Sequence, residues 1–421
     1  MEKFVIYGKN RLEGKIKISG AKNSALAIMP ATLMNAGKNI LRNIPEVNDI
    51  FTMKKLLERL GAKVEFENET LTIDNSAISS QEAPYELVKK MRASIYVLGP
   101  LLAKYGYAKV SMPGGCAWGP RPINLHLEAM KKLGAELEFE EGYIIAKAKK
   151  LHGAKITFDV SSVGATGNAL MAATLAEGKT VIRNAAIEPE ITLLANQLLK
   201  MGANIEGVGS KTLIIEGVEE LHPIECSNID DRIEAGTMLI AAAMTNGKIQ
   251  IEYSNPEHLD ILYEKLEESG AKVFVKNNLV EIEAPTGNIE PVDVSTAVYP
   301  GFPTDLQAQW IAYMTLAKGT SRVTDKIYFD RFKHVPELNR LGANIQLIEN
   351  TAVVKGVNTL KGAKVMSTDL RASASLVLAG LAAEGKTEVL RIYHLDRGYQ
   401  KIEEKLSALN ARIERVKTDE F

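Results

Sequence analysis

The chain has 421 residues, too many for one hydrophobic core, so two or more domains are expected. At 46% hydrophobic and 24% charged residues it has the make-up of an ordinary globular protein, and its formal net charge of −1 excludes a global basic field aimed at nucleic acid or an anionic membrane. Two cysteines make no disulfide framework, no apolar run approaches the ~18 residues of a bilayer span, and Met1-Glu2-Lys3-Phe4 enters a strand-like segment without a signal pattern, so a cytoplasmic setting is expected.

From the N-terminus, Phe4-Val5-Ile6-Tyr7 has strand composition but no partner nearby in sequence. A strand at Lys15–Ser19 follows, then a helix of small residues from Ser24 to Asn35 and a second strand. An amphipathic helix then runs up to Leu60-Gly61-Ala62, and a hairpin from Val64 to Ile73 closes the unit. The phrase returns as Leu133-Gly134-Ala135, Met201-Gly202-Ala203, Ser269-Gly270-Ala271, Leu341-Gly342-Ala343 and Leu409-Asn410-Ala411, at intervals of 73, 68, 68, 72 and 68 residues. Six copies at such regular spacing define six structural repeats. Gly, or Asn in the sixth, is what a left-handed helix C-cap needs. The small-residue helices carry few charges and are expected to be buried on all sides, with helices inside and sheets outside.

The sixth unit ends after one strand of its hairpin, so the N-terminal strand is expected to complete it and tie the two chain ends together. The predicted fold is α/β, with three units in each of two inside-out domains. Residues 21–229 form one domain, and 1–20 with 230–421 form the other. The chain then crosses twice, and Gly20 and Ile229, 209 residues apart, are the expected hinge strands.

Three stretches bear on chemistry. Gly380-Leu381-Ala382-Ala383-Glu384-Gly385-Lys386-Thr387 matches the phosphate-loop pattern, but here a helix precedes and a strand follows, the reverse of the order that motif requires. It reads as a helix C-cap. Ser111 to Pro122 is glycine- and proline-rich, cannot continue a helix or ladder, and holds Cys116 five residues before Arg121, a charge that favours thiolate. Lys22, Asp231 and Arg371 each lie 39 residues before their repeat marker, Arg92 lies 42 and Asp305 37 before theirs, and Gly164-Ala165 fills the slot in the third unit. These are starts of inner helices, whose N-termini attract anions. Two groups of such ends across a hinged cleft would bind an anionic ligand. Arg331 and Arg397 sit beside aromatics in loops equivalent to the Cys116 loop. The six histidines have no metal-ligand spacing, so no metal and no cofactor are expected.

Gly20-Ala21-Lys22-Asn23-Ser24-Ala25, Pro113-Gly114-Gly115-Cys116, Arg121-Pro122-Ile123-Asn124-Leu125-His126 and Ser162-Val163-Gly164-Ala165-Thr166 together resemble the UDP-N-acetylglucosamine enolpyruvyl transferases. So do Tyr299 to Asp305, Asp369-Leu370-Arg371-Ala372-Ser373 and Asp396-Arg397-Gly398-Tyr399, and the likeness spans essentially the whole chain. It implies two α/β prism domains and an addition–elimination that moves the enolpyruvyl group of phosphoenolpyruvate onto the 3′-hydroxyl of UDP-N-acetylglucosamine, the first committed step of peptidoglycan synthesis. It further implies that Lys22, Arg121 and Arg397 hold phosphoenolpyruvate, with Arg92, Arg331 and Arg371 close by. Asn23 and Asp305 would contact the sugar, with Asp305 as general base. Cys116 would be a mobile-loop thiol for proton transfer and covalent capture. Arg121, Pro122, Ile123, Leu125, Ser162, Val163 and Gly164 would line the nucleotide site, and Ile327 and Asp369 complete the implied binding set. Trp118, Pro120, Val160 and Gly167 depart from residues common in that family.

Both implied partners are small anions; neither nucleic acid nor membrane is expected, and the oligomeric state is open. Two rivals are weighed. A shikimate-pathway enolpyruvyl transferase would carry Lys-Ser where this chain has Lys22-Asn23, and no loop cysteine. A non-catalytic paralogue that binds nucleotide sugar would have no need of every charged residue assigned to the site.

Overall fold

The computed structural model describes residues 1–112 and 123–420. Among the described residues six four-stranded sheets recur with one plan. In one of them Lys155–Thr157 runs parallel to Lys179–Arg183, which pairs antiparallel with Thr212–Glu216, with Asn204–Glu206 at the edge. Between the two parallel strands runs an inner helix, here Val163–Thr174, buried from Ala165 to Thr174. Its counterparts Arg232–Met244 and Leu370–Ala382 are buried along nearly their whole length. Small side chains let these helices pack closely against one another while the sheets cover them, which accounts for their low charge.

All six repeat markers adopt the expected conformation: φ is 109° at Gly61, 97° at Gly134, 105° at Gly202, 97° at Gly270, 89° at Gly342 and 69° at Asn410. The left-handed residue lets the chain leave the amphipathic helix and enter the hairpin, its N–H closing on a carbonyl of the last turn. The copies are not equally tolerant. A Cβ on Gly61 would lie 2.7 Å from both the Ala77 carbonyl oxygen and the Ser79 nitrogen, whereas on Gly134 the nearest atom is 3.7 Å away. Gly134→Ala is therefore expected to cost ~1–2 kcal/mol of left-handed strain, and Gly61→Ala clearly more, by urea denaturation. Equal losses would show that the contacts at Gly61 yield freely.

The strand Glu2–Tyr7 lies between Lys386–Leu390 and Arg412–Lys417, antiparallel to both, so the N-terminus does complete the sixth sheet. One expectation is corrected. The strand assigned to the first unit, seen at Glu13–Lys17, instead runs parallel to Lys248–Glu252 in the fourth sheet. Its place beside Lys38–Arg42 is taken by Glu225–Ser227. The two strands hold equivalent positions before an inner helix, and the chain crosses after each of them, so each completes the sheet on its own side of the crossing.

The chain divides into two compact units, Gly20–Ile229 and the segments on either side of it. In the first, the Ala21 N–H donates to the Ile229 carbonyl at 2.7 Å; in the second, the Asp231 N–H donates to the Ser19 carbonyl at 2.8 Å. Gly20 is required here, since a Cβ would lie 1.7 Å from the Asn43 carbonyl oxygen. Each unit has its own apolar core. The phosphate-loop lookalike is a helix end: Leu370–Ala382 precedes it and the strand Lys386–Leu390 follows. No helix among the described residues is long and apolar enough to cross a membrane.

Candidate active site

In the unit that contains the chain ends, three inner helices pack mutually, Arg232–Met244, Gln307–Met314 and Leu370–Ala382. Asp305 lies in the 3-10 turn Thr304–Leu306 that leads into the second of them. Its Oδ1 accepts from Arg331 Nη1 at 2.7 Å and its Oδ2 from Arg371 Nη2 at 2.9 Å. Both arginines are buried while the Asp305 carboxylate keeps a quarter of its surface open. Two buried guanidiniums need a counter-charge, and a carboxylate shared by both supplies it. Burial opposes the charge of Arg371, but Asp305 foremost more than offsets it, so its pKa stands above the ordinary value.

Asp369 caps the helix Leu370–Ala382 and accepts from the Arg371 and Ala372 N–H groups at 3.0 and 3.1 Å. Burial nonetheless pushes its carboxyl above the usual range, against those hydrogen bonds. The Arg371 guanidinium lies 5.4 Å from the Tyr399 ring centre. Gln309 reaches from its helix to the Asp305 carbonyl at 3.0 Å, Thr237 Oγ1 at 3.1 Å and the Tyr399 hydroxyl at 3.3 Å. Ile327 is half-buried in the turn after the strand Thr320–Thr324, and Arg397 is half-buried at the end of the 3-10 segment Ile392–Arg397. The structure thus joins Asp305, Arg331 and Arg371 directly, with Asp369 two residues before Arg371 and accepting from its backbone N–H.

In the other unit, Lys22 opens the helix Lys22–Ala31, is buried, and pairs with the buried Asp49 at 3.2 Å; Asn23 follows it, half-buried. Arg92 opens the 3-10 segment Arg92–Val97. Ser162 caps Val163–Thr174, accepting from the Ala165 N–H at 3.3 Å, so Val163 and Gly164 form that helix's first turn. Ile123 and Leu125 stand at the start of Asn124–Lys132. Cys116, Arg121 and Pro122, with Trp118 and Pro120, lie outside the described residues.

The structure places His126 against this helix start. Asn168 fixes its state. The Asn168 amide nitrogen donates to the Ile95 carbonyl at 2.9 Å and meets His126 Nδ1 at 2.9 Å, while its oxygen accepts from the Gly99 N–H at 2.8 Å. Nδ1 must therefore accept, which leaves the proton on Nε2. Burial, and then Arg92, lower the His126 pKa to about 4. A Cβ on Gly164 would come 2.9 Å from the His126 ring, and one on Gly167 2.6 Å from the Tyr96 ring. The Tyr96 ring thus fills the space a side chain at Gly167 would need. Val160 is exposed.

His334, buried beside Phe332, is likewise lowered, to about 3, by burial and then by Arg331. Both histidines fold neutral, and their pKa values drop from 6.5 on folding. Their contribution is complete above pH 6.5 and is lost as pH falls towards about 4 for His126 and about 3 for His334, because the unfolded chain takes up protons that the folded one refuses. Each fully buried histidine adds a slope of up to about 1.4 kcal/mol per pH unit in that window. Urea denaturation at pH 7.0, 6.0 and 5.0 should show the decline, and His334→Phe should make it shallower while His126 keeps its share; an unchanged slope would remove His334 from the account.

Sequence reading missed Asp49, Asn168 and Gln309. Asn168 and Gln309 do leave a trace, as polar residues inside otherwise small or apolar helices.

Residues 6–406 match the family model described as EPSP synthase (3-phosphoshikimate 1-carboxyvinyltransferase). Among solved structures, the enolpyruvyl transferase NikO from Streptomyces tendae is similar with a TM-score of 0.90 at 26% identity, covering 99% of both chains. The EPSP synthase of Acinetobacter baumannii shares the fold, with a TM-score of 0.77 at 18% identity over 99% of this chain and 100% of that one. The fold is therefore that of the carboxyvinyl-transferring enzymes. UDP-N-acetylglucosamine 1-carboxyvinyltransferases from Chloroherpeton thalassium and Chlorobium phaeovibrioides are 59% and 58% identical, covering all of this chain and 99% and 100% of theirs. The chain belongs to the UDP-N-acetylglucosamine 1-carboxyvinyltransferase family, and it is an enzyme.

Proposed function

We propose that the protein transfers the enolpyruvyl group of phosphoenolpyruvate to the 3′-hydroxyl of UDP-N-acetylglucosamine and releases phosphate, in peptidoglycan synthesis. The observation that carries this reading is the full-length identity of 59% and 58% to relatives bearing that activity's name. C3 of phosphoenolpyruvate gains a proton and the sugar hydroxyl oxygen bonds to C2 as its own proton leaves. Loss of phosphate from C2 and of a proton from C3 then restores the double bond. Asp305 takes the hydroxyl proton, and Arg331 and Arg371 hold it in place. Lys22, Arg121 and Arg397 hold the donor, with Arg92 near it. Asn23 and Ile327 contact the sugar nucleotide, whose diphosphate and uridine lie along Ser162, Val163, Gly164, Ile123, Leu125 and Pro122; Asp369 keeps Arg371 in register. Cys116 delivers a proton and captures the donor. A helix start such as Ser162–Gly164 suits a diphosphate because its N–H groups and dipole favour anions. The reducing cytoplasm is the proposed setting, where both substrates would be met.

Phosphate release with phosphoenolpyruvate and UDP-N-acetylglucosamine tests the reading, with shikimate 3-phosphate as the rival acceptor. Release with the sugar nucleotide alone is the expected result. Release with shikimate 3-phosphate instead, or with neither acceptor, would overturn it.

A further inference from the structure

Asp325 stands at the end of the strand Thr320–Thr324 and is fully buried. Its Oδ1 accepts from Thr296 Oγ1 at 2.7 Å and from the Ile327 and Tyr328 N–H groups at 2.9 and 2.8 Å. Its Oδ2 accepts from Thr304 Oγ1 at 2.7 Å. Asn350 pins the backbone on both sides: the Asp325 N–H donates to the Asn350 carbonyl and the Asn350 amide donates to the Asp325 carbonyl, each at 2.9 Å. A buried carboxylate whose bonds are with hydroxyls and N–H groups is costly to place, and these donors make it tolerable.

The bonds to Ile327 and Tyr328 are an ordinary side-chain turn. The bond to Thr304 is different. The Thr304 hydroxyl has one hydrogen, which it gives to Asp325, so towards Arg331 it can only accept. Arg331 Nη1 donates to it at 3.0 Å and to Asp305 Oδ1 at 2.7 Å. Asp325 therefore sets the direction of the Thr304 lone pairs, Thr304 steers one guanidinium nitrogen, and that nitrogen holds Asp305. The same carboxylate shapes the turn bearing Ile327.

We propose that Asp325, acting through Thr304, is a positioning residue for Asp305. This rests on the reading of Asp305 as general base. The test is Thr304→Val, which deletes the link to Arg331 and leaves the Asp325 turn with Ile327 and Tyr328 in place, with Thr304→Ser as the conservative variant. In the phosphate-release assay Thr304→Val should lower kcat by ~10-fold or more, since small misplacements of a reacting group carry penalties of that order. The KM for phosphoenolpyruvate should stay within twofold, and Thr304→Ser should restore kcat. Asp325→Asn, which offers Thr304 an N–H in place of an acceptor, should match Thr304→Val in kcat and also raise the KM for UDP-N-acetylglucosamine. Thr304→Val turning over like wild type, or a loss that Thr304→Ser does not restore, overturns the proposal. Inactive wild-type protein would instead overturn the reading of function. In that case a crystal structure of Thr304→Val decides: Arg331 displaced from Asp305 supports the link, and an unmoved pair refutes it.

Discussion

Asp305→Asn is expected to lower kcat by ~10²-fold or more, the usual weight of a general base. The substitution keeps size and shape but removes the group that can take a proton. Its amide oxygen can still accept from Arg331, yet the amide nitrogen then faces Arg371, donor against donor. Arg371 is buried and loses the carboxylate that offsets its charge, so folding stability falls as well. The two effects separate by measurement. Urea denaturation reports the stability, and kcat normalised to folded enzyme reports the chemistry. Calorimetric binding of UDP-N-acetylglucosamine should change far less than kcat. If folded Asp305→Asn turns over within a few-fold of wild type, Asp305 only positions the sugar and another group accepts the proton.

Labelling at Cys116 is the second large effect expected. Fosfomycin joins an epoxide to a phosphonate and resembles the anionic end of the donor. Attack by the Cys116 thiolate would form a carbon–sulfur bond, break a carbon–oxygen bond of the ring, and leave an alkoxide that takes up a proton. Arg121 nearby in sequence favours the thiolate over a free cysteine of pKa about 8.5. The other cysteine serves as the control. Cys226 lies in the strand Glu225–Ser227 within an apolar core, and burial pushes its thiol up, against a smaller pull from Lys200. Peptide mass mapping should find one adduct, on Cys116, formed faster with UDP-N-acetylglucosamine present. Cys116→Asp should abolish it yet keep turnover, since a carboxylic acid can deliver a proton. An adduct on Cys226, or equal rates with and without the sugar nucleotide, would refute this account.

How much was legible in the chain follows from what kind of information each feature needs. The six repeats could be read because a left-handed residue after a helix is a local demand, met by Gly61, Gly134, Gly202, Gly270, Gly342 and Asn410. The helix starts bearing Lys22, Arg92, Asp305 and Arg371 followed from similar offsets to those markers, 37 to 42 residues, and the unpartnered strand at the N-terminus from a missing hairpin strand in the sixth unit. Each of these depends on residues close in sequence or on the regularity of the repeat.

The double crossing at Gly20 and Ile229 already parted Lys15–Ser19 from the rest of its unit, but the sheet partners of Glu13–Lys17 and Glu225–Ser227 were not legible, because equivalent strands suit equivalent sheets and only the path of the chain selects between them. The same holds for side-chain partners. Sequence placed Asp305 at a helix start, but its grip by Arg331 and Arg371 joins residues 26 and 66 positions away. Asn168 setting the proton on His126, and Asp325 directing Thr304, depend on which donors meet which acceptors once water is excluded. Local rules determined the repeats, the caps and the places where charge gathers. Tertiary packing decided which of those charges share one carboxylate, because a hydrogen bond is directional over about 3 Å and its partners come from distant turns of the chain.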